Sequence, residues 1–320
     1  MPGLEELSYT EFGMSQQPGC ARAAPVSYIS DPNPETVLHG ETERQPALLI
    51  DAHVHLHDCF PPASFLAHAE RNFERAAAQG EGEHDPGVLM LTESVGVDWF
   101  GRLASMAADS AVRHTTPLAP WSIEETGDPN ALVARNGQRR LILVAGRQVV
   151  AREGLEVLLL GTRETVPDGR PIREVLAEGK RLGALRVIPW GAGKWLFARA
   201  RLLSELLAEA QRDDAFFLGD GAGRPFFWTR PRHFEEAQRR GVRVLPGTDP
   251  LPLASQVSRA GSYGFRLDAP IDLTRPAETI LAALRDPASR ITPYGRLERL
   301  TPFVRHQLAM QRLKRRRAMA

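Results

Sequence analysis

Residues 48–55 read Leu-Leu-Ile-Asp-Ala-His-Val-His, an apolar run that leads directly into two histidines, His53 and His55. The apolar run predicts a buried strand, and alternate residues of a strand point to one side, so both imidazoles would face the same way. If the strand ends at the mouth of a barrel, the pair forms half of a metal site, which carboxylates usually complete. The alternative is a strand end whose two histidines are solvated or hydrogen-bonded within the core.

Short apolar runs alternate with helical patterns from residue 47 onward, which is typical of a parallel α/β fold. Predicted strands cover residues 47–54, 88–92, 141–150, 155–161, 185–189, 215–218 and 242–245. Predicted helices cover about 63–79, 98–108, 171–182, 199–212, 231–240, 276–286 and 294–311. Residues 110–138 predict an irregular lid or a hairpin, because prolines interrupt any regular element there. In such a fold, functional residues gather where the strands end.

The composition is that of an ordinary soluble globular protein, with 42% hydrophobic and 25% charged residues in a chain of 320. A net charge of +1 gives no reason to expect global attraction to nucleic acid or to anionic membranes. No apolar run is long enough to span a bilayer, and no basic segment followed by an apolar core indicates a secretory signal. The only cysteines are Cys20 and Cys59, which fits a reducing compartment. We therefore expect a cytoplasmic protein that binds no membrane, and the charge disfavours a nucleic-acid partner.

The chain divides into three predicted segments. Residues 1–45 are rich in Pro, Gly, Ser and Glu and predict an extended N-terminal arm. Residues 46–275 would form the α/β body, and residues 276–320 a C-terminal helical extension with a basic tail, Arg312–Arg317. That tail fits a solvated helix end, since cations suit a helix C-terminus, and the alternative is a contact with RNA, an acidic partner or a membrane surface.

Two acidic residues follow predicted strands and are candidate partners of the histidines. Asp249 comes after a buried strand and a Gly-Thr turn, where its carboxylate could ligate a metal or act as a general base. The alternative is an Asp that caps the following helix, which Pro250 and Pro252 disfavour. Glu93 ends the second predicted strand and is a candidate ligand, or else a salt-bridged or capping acid.

Two glycine-rich strand ends supply further candidates. The turn at 219–225 could form an anion-binding nest, with Arg224 binding a phosphate or carboxylate and Asp220 acting as an acid–base catalyst. The segment that follows the strand 185–189 brings Lys194 toward an anionic substrate, with Trp190 as an apolar wall. This segment lacks the spacing of a Walker motif, so we reject a nucleoside triphosphatase. The alternatives are a tight surface turn and a structural tryptophan.

These strand ends resemble those of the polymerase-and-histidinol-phosphatase (PHP) family of metal-dependent phosphoesterases, over residues 48–255. The segment Asp51–His55 is similar to the family's first strand, and Gly247-Thr248-Asp249-Pro250-Leu251 to its closing Ser-Asp-Ala-His. The other similar segments are 91–94, 144–158 and 185–190. The resemblance implies an α/β fold with a distorted TIM-like (β/α)7 barrel. Amidohydrolase-like barrels share the paired histidines and the final Asp, but this chain has no histidine on its predicted fifth or sixth strand.

The resemblance is incomplete at the family's ligand positions. The changed positions are Glu93-Ser94 in place of Asp-His, Gln148 in place of Glu, Trp190 in place of His and Leu251 in place of His. These changes exclude the family's trinuclear cluster. The matching residues imply one divalent metal ion (Zn, Mn or Fe) held by His53, His55, Asp249 and the conservative substitute Glu93.

The expected function is metal-dependent hydrolysis of a small anionic molecule that carries a phosphate. In this hypothesis Asp249 and Asp220 act in catalysis, while Lys194, Arg224 and Trp190 bind substrate. The alternative is a catalytically degenerate PHP-like barrel that serves as a ligand-binding or scaffold protein, since several ligand positions have changed. A third hypothesis is an RNA- or protein-associated factor that acts through the basic tail.

Overall fold

The computed structural model describes residues 47–79, 86–108, 118–210 and 216–319. The predicted arm, residues 1–45, lies outside these ranges. The strands are β1 Leu48–Val54, β2 Gly87–Leu91, β3 Ser122–Glu125, β4 Ala131–Asn136, β5 Arg139–Val144, β6 Gly146–Val150, β7 Glu156–Leu160, β8 Leu185–Pro189, β9 Phe217–Gly221, β10 Val244–Gly247, β11 Tyr263–Asp268 and β12 Arg290–Gly295. The helices are α1 Pro62–Ala77, α2 Trp99–Ala108, α3 Ile172–Arg181, α4 Ala198–Glu209, α5 Arg232–Arg239, α6 Pro276–Arg285 and α7 Leu300–Met319.

The strands form two sheets. A seven-stranded sheet has the order β12-β11-β1-β2-β5-β4-β3, and a five-stranded sheet has the order β10-β9-β8-β7-β6. Strands β1, β2 and β5 are parallel to one another, as are β8, β9 and β10. The carboxyl ends of each parallel set therefore lie along one edge of its sheet, where α/β proteins place their sites.

The two sheets share one hydrophobic core. Ile50 and Val88 of the first sheet pack in the same cluster as Leu158, Val187 and Leu245 of the second. Helices α1 and α2 cover the far side of the first sheet, and α3, α4 and α5 cover the far side of the second. Burial of apolar surface on both faces explains why the parallel strands read as continuous apolar runs.

Backbone hydrogen bonds also connect the edges of the two sheets. The N–H of Asp249, just after β10, donates to the carbonyl of His53 in β1 (2.7 Å). On the other side, the N–H of Glu93, just after β2, donates to the carbonyl of Gly146 in β6 (3.1 Å). The α/β class predicted from the sequence is confirmed. Within the described ranges, however, the strands pair as two sheets and not as one closed barrel.

A β-bulge in β1 decides which way its histidines point. Between Asp51 and Val54, three steps along β1 match two steps along β2. Leu49 and Val54 consequently pack in the same cluster beneath α1, although they are five residues apart and regular alternation would place them on opposite faces. His55, next along, therefore lies on the opposite face, that of Ile50 and the core between the sheets.

Several predicted elements were wrong in the second half of the chain. Strands β11 and β12 lie in regions that had no predicted strand, and β12 ends where the last helix was predicted to begin, so α7 starts at Leu300 and not near residue 294. Beyond residue 275, α6 packs into the core between the sheets, and β12 pairs with β11. Within 110–138 the described part forms a hairpin, β3–β4, which was one of the two alternatives.

Among the described residues, no helix combines the length and the apolar character that crossing a lipid bilayer requires.

Candidate metal centre

The two histidines of β1 and the aspartate after β10 come together at the edge where these strands end. His53 Nε2 lies 3.1 Å from His55 Nε2, and Asp249 Oδ1 lies 3.6 Å from the former and 3.5 Å from the latter. Within the ranges that the structure describes, these residues are the group of His, Cys, Asp or Glu donors close enough to share one metal ion. The structure thus brings together three of the four predicted ligands.

The separations fit a tetrahedral cation. Metal–ligand bonds of about 2.0–2.1 Å place neighbouring tetrahedral ligands about 3.3–3.4 Å apart. The three measured separations of 3.1, 3.5 and 3.6 Å lie close to that edge length. Two imidazoles and one carboxylate are also the donor set that Zn, Mn and Fe accept. The residues present therefore fit one divalent ion.

Close approach of β10 to β1 fixes the position of Asp249. A Cβ on Gly247 would lie 2.4 Å from the backbone nitrogen of His53, so a side chain there would force the strands apart. Two residues later, Asp249 adopts a left-handed backbone conformation (φ 47°), which aspartate tolerates better than most residues. This turn keeps its N–H on the carbonyl of His53 while its carboxylate faces the imidazoles.

Asp51 anchors the same junction from inside the protein. Its fully buried carboxylate accepts hydrogen bonds from the backbone N–H and the hydroxyl of Thr248 (2.8 and 2.5 Å) and from the N–H of Gly261 (2.9 Å). Burial raises the pKa of Asp51 to about 6, against the opposing effect of these donors. Asp51 therefore positions the ligand-bearing strands and does not face the metal group. The sequence placed it in the motif but gave no sign of this role.

The protonation states of His55 and Asp249 suit the binding of a cation. Burial, reinforced by neighbouring His53, lowers the pKa of His55 to about 3, so its imidazole is neutral and has a lone pair for a metal near pH 7. Partial loss of hydration opposes ionisation of Asp249, yet His53, His55 and Lys194 outweigh it and lower the pKa of its carboxyl. The side chain of Asp249 remains 38% exposed, so the group can be reached from solvent.

Two residues next to the group were not predicted to act there. The side chain of Gln148, on β6, hydrogen-bonds His55. His57 stacks on His55, with ring centroids 5.5 Å apart, and its Nε2 lies 2.8 Å from the carbonyl oxygen of Pro250. Gln148 had been noted only as a changed ligand position. The two-residue spacing after His55 was the sequence signal for His57.

Glu93, the fourth predicted ligand, is not brought into the group. Its buried carboxylate accepts a hydrogen bond from the N–H of Phe100 in the first turn of α2 (2.8 Å) and pairs with Arg147 (2.8 Å). Burial raises the pKa of Glu93, although the Phe100 and Arg147 interactions oppose the shift. This is the capping and salt-bridged role that the sequence left open. Glu93 and Arg147 are 54 positions apart, which explains why no local sequence pattern indicated this pair.

The predicted pair Asp220 and Arg224 is also absent from the group. Arg224 donates to both oxygens of Asp220 (2.8 and 2.7 Å), and the hydroxyl of Tyr263 donates to Asp220 as well (3.0 Å). The hydrogen bonds that Arg224 donates to Asp220 raise the pKa of its guanidinium. Each predicted function, acid–base catalysis and anion binding, would first require this nearly buried ion pair to open.

The remaining predicted residues, Trp190 and Lys194, follow β8. The half-buried ring of Trp190 lies edge-on to Trp228 and packs against the cluster beneath α3, α4 and α5, away from the core between the sheets. Lys194 forms an ion pair with Glu156 at the start of β7, and its charge acts on Asp249. The ammonium group of Lys194 is thus the predicted cation that the structure brings toward the metal group.

A cleft of about 280 Å³ opens beside the group. Gln148 lines it and also contacts His55, so one end of the cleft reaches the histidines. Glu93 and Arg147 form part of its wall, together with the loop between β2 and α2.

No protein-family model matches the chain, and no curated protein is similar to it in sequence. Solved structures do share its fold. PsfC from Pseudomonas syringae PB-5123 superposes with a TM-score of 0.52 at 14% identity, over 84% of this chain and 99% of PsfC. A lesion-specific endonuclease from Pyrococcus furiosus gives a TM-score of 0.46 at 12% identity, over 77% of this chain and 58% of that one. PsfC, whose TM-score is above 0.5, therefore shows a fold similar to that of this chain.

Proposed function

We propose that this chain is a metal-dependent hydrolase with a PHP-like distorted barrel, in which His53, His55 and Asp249 hold one divalent cation. The observation that carries the proposal is the convergence of their three donor atoms at the separations of a tetrahedral site. Three protein ligands are typical of catalytic zinc sites, whereas structural sites usually have four. We therefore assign the site to chemistry and not to folding.

Zinc, manganese or iron bound there would supply Lewis acidity for hydrolysis. The chain's own residues do the rest. Asp249, which is ionised and partly exposed, can also accept a proton from a water molecule that enters from solvent. The hydrogen bond from Gln148 and the stacked ring of His57 hold His55 in place. The bulge in β1 and the close approach at Gly247 hold the ligands at their separations.

The substrate that we propose is a small anionic molecule with a phosphate group. Support comes from Lys194, whose ammonium group acts on Asp249 and lies at the carboxyl end of the same sheet. Lys194 is paired with Glu156, so an anionic substrate would have to share this ammonium group with that carboxylate. We assign Arg224 and Asp220 to structure at this stage, because each satisfies the other.

Metal content tests the proposal directly. Purified protein, dialysed against metal-free buffer after loading with Zn²⁺, Mn²⁺ or Fe²⁺, is expected to retain about one ion per chain by elemental analysis, and the double variant His53→Ala/His55→Ala close to none. His68→Ala, a change on α1 away from the group, is the matched control and should retain the ion. Equal and sub-stoichiometric metal in all three proteins would refute the proposal. Loaded protein is then assayed on aryl phosphate monoesters and diesters.

The second candidate function is a PHP-like ligand-binding protein without chemistry. It is supported by the side chains at the changed ligand positions: Gln148 offers an amide, and Glu93 is occupied by Arg147. Metal binding without any turnover of phosphate esters, combined with saturable binding of the same esters, would favour this candidate.

A further inference from the structure

A cleft of about 500 Å³ lies between the C-terminal end of α1, the end of β12 and the start of α7. None of the three metal-group residues lines it. Its lining is rich in cations and contains one acid, Glu298. The cations are Arg75, Arg259, Arg296, Arg299 and Arg305.

The carboxylate of Glu298 already has two hydrogen-bond partners. One of its buried oxygens accepts hydrogen bonds from Arg259 (2.6 Å) and from Nδ1 of His306 (3.0 Å). This single carboxylate cannot balance the charge of all five arginines of the cleft. Among the described residues, Arg75 donates to two neutral oxygens, the side chain of Asn72 and the backbone carbonyl of Arg71.

The side chains of Arg296, Arg299 and Arg305 are exposed and make no ion pair with any residue that the structure describes. Some exposed arginines elsewhere in the described part of the chain do pair with carboxylates. The pairs on and around α3 are Arg170–Glu174, Arg173–Glu209 and Arg181–Glu178. The cleft therefore concentrates uncompensated guanidinium groups, which is unlike the mixed charge of an ordinary solvated surface.

The basic surface continues along α7. Arg305 and Arg312 are both exposed and seven residues apart, so they lie on one face of the helix about 10 Å from each other. Arg315, also exposed, extends the row by almost one turn. A single phosphate group cannot span this distance, whereas one nucleic-acid strand presents a charge about every 3.4 Å along a duplex axis.

We propose that the cleft and the basic face of α7 bind the phosphodiester backbone of a nucleic acid, without reading its bases. Guanidinium groups match phosphate oxygens in pairs, and a row of them favours an extended polyanion over a small one. The net charge of the whole chain does not indicate this basic surface, because acidic residues elsewhere in the chain balance the arginines. The site goes beyond the proposed hydrolase function and does not depend on it.

The test is fluorescence anisotropy of the full chain with a short labelled single strand and a duplex of mixed sequence. We expect the triple variant R296Q/R299Q/R305Q to bind about tenfold or more weakly and to lower the slope of log K against log salt by about 3. The variant R170Q/R173Q/R181Q removes the same charge from the paired arginines and should change affinity twofold or less. Thermal melting verifies that both variants are folded.

Further outcomes decide between ligands. Polyglutamate or tripolyphosphate at equal charge should displace the strand poorly, and His53→Ala/His55→Ala should bind it with wild-type affinity. Equal weakening of the two arginine variants would overturn the proposal, because only total charge would then matter. Equal displacement by either competitor, binding insensitive to salt, or loss of binding in the histidine variant would overturn it as well.

Discussion

The N–H of Asp249 donates to the carbonyl of His53 at 2.7 Å, and this bond joins the two sheets at the point where the candidate metal ligands meet. One backbone contact thus fixes two ligands from opposite ends of the sequence relative to each other. The metal group depends on the approach of β10 to β1 as much as on the ligand side chains.

Replacing Gly247 by alanine tests that dependence. The new Cβ would lie 2.4 Å from the nitrogen and 2.6 Å from the Cβ of His53, so β10 must move away from β1. We expect a loss of about 2–3 kcal/mol in the free energy of unfolding and a loss of bound metal. Urea denaturation and elemental analysis measure the two effects. Gly223→Ala is the control, since no atom lies within 4 Å of its Cβ; equal stability of the two variants would argue against the account.

Asp249→Asn separates charge from backbone geometry. Asparagine also tolerates the left-handed conformation at φ 47°, so the turn should persist and the melting temperature should change little. The variant loses the carboxylate charge, and we expect its metal affinity to fall by about 100-fold or more. Loss of a residue that only orients a metal ligand lowers the affinity by about 10- to 100-fold, so a direct ligand should cost at least as much. Competition with a chromophoric chelator measures this affinity. Unchanged affinity would remove Asp249 from the ligand set.

Glu93→Gln distinguishes a ligand from a capping acid. Because both oxygens of Glu93 are engaged by Phe100 and Arg147, we expect wild-type metal content together with a loss of about 1–3 kcal/mol in stability. Glu124→Gln, which breaks the exposed pair with Arg135, should cost about 1 kcal/mol or less. If Glu93→Gln loses its metal while keeping its stability, Glu93 is a ligand after all.

Lys194→Gln tests the substrate-binding cation. If Lys194 attracts the anionic group of the substrate, KM should rise about tenfold while kcat stays within about twofold, because the interaction is equal in the ground and transition states. Lys180→Gln on α3 removes the same charge far from β10 and should leave KM unchanged. A fall in kcat at constant KM would assign Lys194 to the chemical step instead.

The central strands and two ligand strands could be predicted because their residues are buried on both faces and read as apolar runs. Strands β11 and β12 could not, since β12 is exposed or half-exposed at every position and is ordered by pairing with β11. The periodicity of apolar residues in a sequence indicates which positions are buried, and an edge strand such as β12 has few buried positions. The bulge in β1 also could not be predicted from the sequence, because it depends on the register between β1 and β2.

The candidate site could likewise be predicted only where local sequence features determine it. His53, His55 and Asp249 could be predicted from residue type and from position at strand ends. The partners of Glu93 and Asp220 could not, since Arg147 and Tyr263 come from distant strands. A carboxylate at a strand end is compatible with ligand, cap and ion pair alike. Only the three-dimensional neighbours decide among these roles.

Anomalous diffraction from crystals of the metal-loaded protein, recorded at the absorption edge of the bound metal, tests the central claim most directly. The account predicts one anomalous peak per chain, within about 2.0–2.3 Å of Nε2 of His53, Nε2 of His55 and Oδ1 of Asp249. A peak held by other residues, or no peak between these three atoms in crystals that contain the metal, would contradict it.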